Sequence, residues 1–260
     1  MKKLTKVLAF AVMLLSGNTI AQPVFSQSKP TIVLVHGAFA ESSSWNEVIS
    51  RLKRDGYKAI ATANPLRGVM ADAATVSAVI RSISGPVVLV GHSYGGPVIT
   101  EAANGNPNVT ALVYVSAFAP DRGETSLGLS NKFPGSTLAD AIFSVEQGRG
   151  ERDLFIRLDR FHDQFAADLS EDRSVLMAAT QRPVAQAALE EKSGVPSWKR
   201  LPSYSIYGTQ DRNIPPAAME FMAKRAGTVK TVVVDGASHV VMISHPEEVA
   251  ALIEEAASVH

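Results

Sequence analysis

The chain contains no cysteine. That excludes a disulfide framework, a thiolate metal site and a cysteine nucleophile together. Charge of one sign is missing too: 25 Lys and Arg balance 25 Asp and Glu, which removes the electrostatic case for a nucleic-acid partner. No apolar run approaches the roughly 20 residues that span a bilayer, so no stable membrane insertion is expected. The sequence has no H-E-x-x-H, no P-loop and no dinucleotide G-x-G-x-x-G, so neither a metal nor a cofactor is expected. Charged residues are 19% and aromatics 7%, against 46% hydrophobic residues with 18 Gly and 14 Pro. This globular balance rules out a disordered, collagen-like or coiled-coil chain. At 260 residues and 27.7 kDa the chain can bury a substantial core.

The N-terminus has its own pattern. Lys2, Lys3 and Lys6 precede the apolar run Val7–Leu15, and Thr19-Ile20-Ala21 supplies small residues for cleavage. Residues 1–21 are therefore expected to be a signal peptide, cut near Ala21, and the mature protein to be secreted or periplasmic. Their removal takes three lysines and no acid, leaving a mildly acidic chain without cysteines to pair.

Beyond it, short apolar runs alternate with helical periodicity. Strands are expected at Thr31–Val35, Tyr57–Thr62, Val87–Val90, Val109–Val115, Tyr204–Tyr207 and Thr231–Val234. Between them, Trp45, Val48, Ile49 and Leu52 share one helical face, as do Val76, Val79, Ile80 and Ile83. A helix from about Tyr94 to Ala103, one with Ala218, Phe221 and Met222 inward, and a last one opened by Pro246 complete the rhythm. Such alternation predicts a mostly parallel central sheet with helices on both faces. Residues 22–120 and 201–260 form this core. Residues 121–200 break the pattern, contain no apolar β-branched run, and read as several short helices forming an inserted helical cap.

Gly91-His92-Ser93-Tyr94-Gly95 lies between a strand and a helix, the context that a G-x-S-x-G elbow needs. Ser93 is the candidate nucleophile. Side chains at 91 and 95 would collide with backbone in so tight a turn. A serine hydroxyl needs a base, and among six histidines His239 stands on a loop after the last strand, at the ligand-binding sheet edge. His36 and His92 belong to glycine turns, His245 precedes Pro246, His162 lies in the cap and His260 is terminal. The base in turn needs a carboxylate. Asp211, in the loop after Tyr204–Tyr207, fills that role, with Asp235 and Asp121 as rivals. The oxyanion donors are expected to be the N–H of Tyr94 and that of Ala38, with Phe39 the alternative, each worth roughly 2.7–4 kcal/mol in the transition state. Phe39, Tyr94, Phe118 and Val240 adjoin the catalytic turns and are candidate substrate contacts.

The stretches VHGAFAESSSW, VVLVGHSYGG, ALVYVSAFAPD, YGTQDRNIPP and DGASHVVMISHPEEVA resemble the α/β-hydrolase superfamily over nearly all of Thr31–Val259. The most similar branch holds plant salicylate methyl esterases and hydroxynitrile lyases. The resemblance implies an α/β-hydrolase fold, a Ser93–His239–Asp211 triad, no cofactor and a small apolar pocket under the cap. The lyases carry a threonine where Gly37 stands and a lysine directly after the histidine, where this chain has Val240. This departure favours hydrolysis of small carboxylic esters, through an acyl-enzyme, over lyase action. Serine at 93 also disfavours epoxide hydrolase and dehalogenase chemistry. Lactone opening, carbon–carbon cleavage, perhydrolysis and non-catalytic ligand binding are the other readings of such a triad.

Overall fold

The computed structural model describes residues 29–258. The signal peptide and His260 lie outside these residues. The core elements run β1 (Thr31–Val35), α1 (Asn46–Arg54), β2 (Lys58–Thr62), α2 (Val69–Arg81), β3 (Val87–His92), α3 (Gly95–Ala102) and β4 (Val109–Val115). An insertion follows, with α4 (Ser126–Ser130), α5 (Leu138–Ala141), β5 (Ile142–Gly148), β6 (Glu151–Ile156), α6 (Phe161–Phe165), α7 (Glu171–Thr180), β7 (Val184–Ala185) and α8 (Gln186–Glu190). The core resumes with β8 (Ser203–Gly208), α9 (Pro216–Ala226), β9 (Lys230–Val234), α10 (Val241–Ser244) and α11 (Pro246–Ser258).

The six core strands form one sheet in the order β2-β1-β3-β4-β8-β9, every pairing parallel. β1 and β3 are buried at every residue, which is why they read as unbroken apolar runs. The outer strands β2 and β9 are partly exposed and carry lysines, as edges do. Right-handed crossovers put α2, α3 and α9 on one face and α1 on the other, where α1 packs against α11. The chain turns left from β1 to β2, then returns past β1 to β3. The topological switch point therefore lies between the carboxyl ends of β1 and β3, where open α/β sheets bind ligands.

The insertion departs from expectation in one respect. Besides short helices it contains an antiparallel sheet in the order β5-β6-β7. The β5–β6 hairpin turns through Gly148-Arg149-Gly150, all at positive φ. β5 is largely exposed, so its residues IFSVEQG carry polar side chains on both faces and leave no apolar signature. The cap is tied to the core by Arg67, whose guanidinium reaches Asp153 of β6 at 2.6 Å, and by the Ala185 N–H donating to the Leu66 carbonyl.

Candidate active site

Ser93 occupies the bend between β3 and α3 with φ 54°. A non-glycine residue in this left-handed region costs about 1–3 kcal/mol. Its neighbours hold it there: the Ser93 N–H donates to the Val115 carbonyl at 3.2 Å, and the Ser93 carbonyl accepts from Gly96 at 3.0 Å and Phe118 at 3.2 Å. The two elbow glycines are required by close approach. A Cβ at Gly91 would stand 2.6 Å from the Gly95 carbonyl oxygen, and one at Gly95 would stand 2.5 Å from that of Val35.

His239 and Asp211 meet although 28 residues separate them. Their Nδ1–Oδ2 distance is 2.6 Å, and both side chains are buried. The other Asp211 oxygen, Oδ1, accepts from the backbone N–H of Asn213 at 2.8 Å and Ile214 at 2.9 Å. A carboxylate occupied this way is an acceptor, so His239 Nδ1 carries the proton and Nε2 keeps its lone pair. That Nε2 is buried without a hydrogen-bond partner among the described residues.

The structure adds supports for the base that the sequence did not expose. The His92 ring lies 4.7 Å from that of His239, and the Phe165 ring of α6 lies 5.1 Å from it. The His92 Nε2–H donates to the His239 carbonyl at 3.0 Å. Burial, and then the neighbouring His239, pull the His92 pKa well below the usual imidazole value, so His92 stays neutral. Ser238, next to the base, donates from both its hydroxyl and its N–H to Asp168 of the cap.

The remaining candidates separate cleanly. Asp235 accepts from the Thr209 hydroxyl at an exposed turn, and Asp121 pairs with Lys199 at 2.7 Å. His36 is pulled down to about 4 by burial, donates to the Gly37 carbonyl and accepts from the Asn64 N–H. His162 bonds the Leu169 carbonyl and His245 the Ser244 hydroxyl. The Phe39 N–H is committed to the Arg182 carbonyl at 2.9 Å. Those of Ala38 and Tyr94 have no backbone partner outside regular elements among the described residues.

A cavity of about 50 Å³ adjoins Ser93 and is lined by Ala38, Phe39, Tyr94 and Phe118, together with residues of the cap. Val240, just before α10, is fully buried and, like His239, is not among the residues around this cavity. Among the described residues no group of three or more His, Asp or Glu is placed to hold a metal ion.

Tyr94 is anchored from behind. Its hydroxyl donates to Asp72 Oδ2 at 2.9 Å, and Asp72 also accepts from the Arg67 and Gly68 N–H groups at the start of α2. Burial raises the Asp72 carboxyl above its ordinary 3.8, its hydrogen bonds opposing the rise. A raised acid keeps its proton in the folded state after the unfolded chain has lost it. Stability from this group therefore declines as pH climbs from 3.8 through the folded value. Asp72→Asn keeps an acceptor for Tyr94 and removes the titration. The Tm of wild type minus that of the variant is expected to fall as pH rises above 3.8; a flat difference would refute the raised carboxyl.

A family model described as "Alpha/beta hydrolase family" matches residues 32–252. The chain belongs to that family. Among relatives of this α/β hydrolase is the pyrethroid hydrolase of Sphingobium wenxiniae, 28% identical, covering 86% of each chain. The α-hydroxynitrile lyase of Arabidopsis thaliana is 24% identical over 85% of this chain and 95% of its own. Among solved structures, polyneuridine aldehyde esterase superposes with a TM-score of 0.75 at 20% identity, over 87% of the hydrolase and 98% of the esterase. That likeness is one of fold.

Proposed function

We propose that this hydrolase cleaves small carboxylic esters through an acyl-enzyme on Ser93. The observation carrying the proposal is the 2.6 Å Asp211–His239 contact, which leaves a buried, unpartnered Nε2 for a serine hydroxyl. His239 takes the Ser93 proton as Oγ attacks the ester carbonyl. The Ala38 and Tyr94 N–H groups receive the negative oxygen. His239 then gives the proton to the departing alkoxide, and a water, deprotonated by the same ring, releases the acid. Relatives named as a pyrethroid hydrolase and a pimeloyl-[acyl-carrier protein] methyl ester esterase of Xanthomonas campestris support a carboxylic ester as substrate, and the narrow apolar cavity beside Ser93 supports a small one.

A p-nitrophenyl alkylphosphonate tests the assignment. The reagent is expected to abolish p-nitrophenyl butyrate hydrolysis in step with one covalent adduct, mapped by peptide mass spectrometry to Ser93. Complete inhibition with the adduct on any other residue would remove Ser93 from its role.

A further inference from the structure

The wall of the cavity facing the cap is apolar, formed by Leu127, Leu138 and Leu189 with Phe118 from the core. Three polar side chains interrupt it, of which Ser130 is already engaged, its hydroxyl donating to the Asn213 carbonyl at 3.1 Å; the other two are not. Ser126, the first residue of α4, is 3% exposed, and its hydroxyl has no hydrogen-bond partner among the described residues. It has no part in capping its helix, because Thr125 already accepts from the Gly128 N–H at 2.9 Å. Burying a hydroxyl unpaired is unfavourable, so a group that pairs with it on binding is favoured.

Asn213 is the second, also 3% exposed. Its orientation is set by a chain of bonds running into the cap. The Thr137 hydroxyl donates to Gln164 Oε1 at 2.8 Å, which turns Gln164 Nε2 toward the Arg212 carbonyl and Asn213 Oδ1, both at 2.8 Å. With Oδ1 occupied, Asn213 Nδ2 is the free end, and its N–H groups have no partner among the described residues. Neither residue belongs to the triad or the oxyanion site, yet both line the cavity that holds Ser93.

We infer that the pocket selects esters bearing a second, neutral hydrogen-bond acceptor, which Ser126 Oγ and Asn213 Nδ2 bind. The inference rests on the ester-hydrolase reading above. Asn213 Nδ2 can only donate, and a serine hydroxyl donates as readily as it accepts, so the matching group is a carbonyl, ether or hydroxyl oxygen. No charged residue lines the cavity, so a carboxylate or ammonium group finds no counter-ion there. A second cavity of about 290 Å³, sharing Leu127, Ser130, Leu138 and Leu189 with the first, gives an apolar chain beyond the acceptor a place to lie.

Two matched ester pairs read this out. Methyl 4-oxopentanoate is compared with methyl pentanoate, placing the acceptor in the acyl group. 2-Methoxyethyl acetate is compared with butyl acetate, placing it in the alcohol. Each kcat/KM is taken by pH-stat and divided by the ester's hydroxide-catalysed rate. In at least one pair the wild type is expected to favour the acceptor-bearing member roughly three- to tenfold, the effect of one or two net hydrogen bonds. Ser126→Ala removes the hydroxyl, and Asn213→Asp removes the donors while keeping the oxygen that Gln164 uses. Each is expected to bring that ratio toward one. Ser126→Ala should leave Tm unchanged, and Asn213→Asp, which puts a carboxyl where no counter-ion stands, should lower it while native circular dichroism at the assay temperature shows that the fold is intact. No preference in either pair, or a preference that survives both variants, overturns the inference and leaves ester hydrolysis standing. Failure to hydrolyse any of the four esters overturns both.

Discussion

Asp211→Asn is expected to lower kcat for ester hydrolysis about 10⁴-fold, the scale set when a triad loses its correct histidine tautomer. The geometry explains why so small a change should cost so much. Two backbone N–H groups, those of Asn213 and Ile214, converge on Oδ1 of Asp211. An asparagine there keeps its single carbonyl oxygen on them and presents its NH₂ to His239. Nδ1 must then accept instead of donate, so the proton moves to Nε2, which can no longer take one from Ser93. The fold should be preserved, since volume and backbone bonds are unchanged. Steady-state rates and thermal melts of Asp211→Asn, with Asp235→Asn and Asp121→Asn alongside, decide the matter. A loss below about tenfold at Asp211, or an equal loss at either rival, would transfer the acid's role elsewhere.

Gly37→Thr is expected to reduce ester hydrolysis by at least about 100-fold, the penalty for displacing a reacting group by around 1 Å. Gly37 lies between β1 and the turn at Ala38-Phe39, across the switch point from the elbow. A Cβ there would stand 2.5 Å from the Cβ of Ser93 and 2.7 Å from the His92 carbonyl oxygen. Real contacts of that kind lie nearer 3.5–4 Å. The threonine must push the serine, and with it the bond from His92 to the His239 loop. Threonine is the residue that resembling lyases carry at this place, so the variant is also a test of chemistry: it should lose esterase activity without gaining cyanohydrin cleavage. Retained esterase activity would mean that the elbow yields more easily than the packing around it implies.

The central sheet and the three polar residues at its carboxyl edge were legible because each is announced locally. Strands buried on both faces cannot hide their apolar runs, and Ser93 and Asp211 each follow one; His239 follows the edge strand β9, whose run Thr231–Val234 is still apolar and β-branched. The supports of the base were not legible. His92 reaches His239 from the end of β3, and Phe165 and Asp168 reach it and its neighbour from the cap, and no periodicity records such a meeting. The same holds for the choice between Ala38 and Phe39 as donor, which turns on the Arg182 carbonyl, 143 residues beyond Phe39. Ser126 and Asn213 escaped notice because small polar residues in a short helix and a loop look like solvent-facing ones until something covers them. The cap hairpin was missed because its exposed strand β5 has no face to keep apolar.

The double hold of Asp168 on Ser238, with the Phe165 ring set against His239, also bears on how this scaffold can be re-engineered. The cover that lines the cavity beside Ser93 also braces His239 and its neighbour, so the two are not interchangeable modules. A foreign lid grafted between Val115 and Ser203 would have to bring an aromatic ring and a carboxylate to those same two places, or the transplant would disable turnover before any new selectivity could be read.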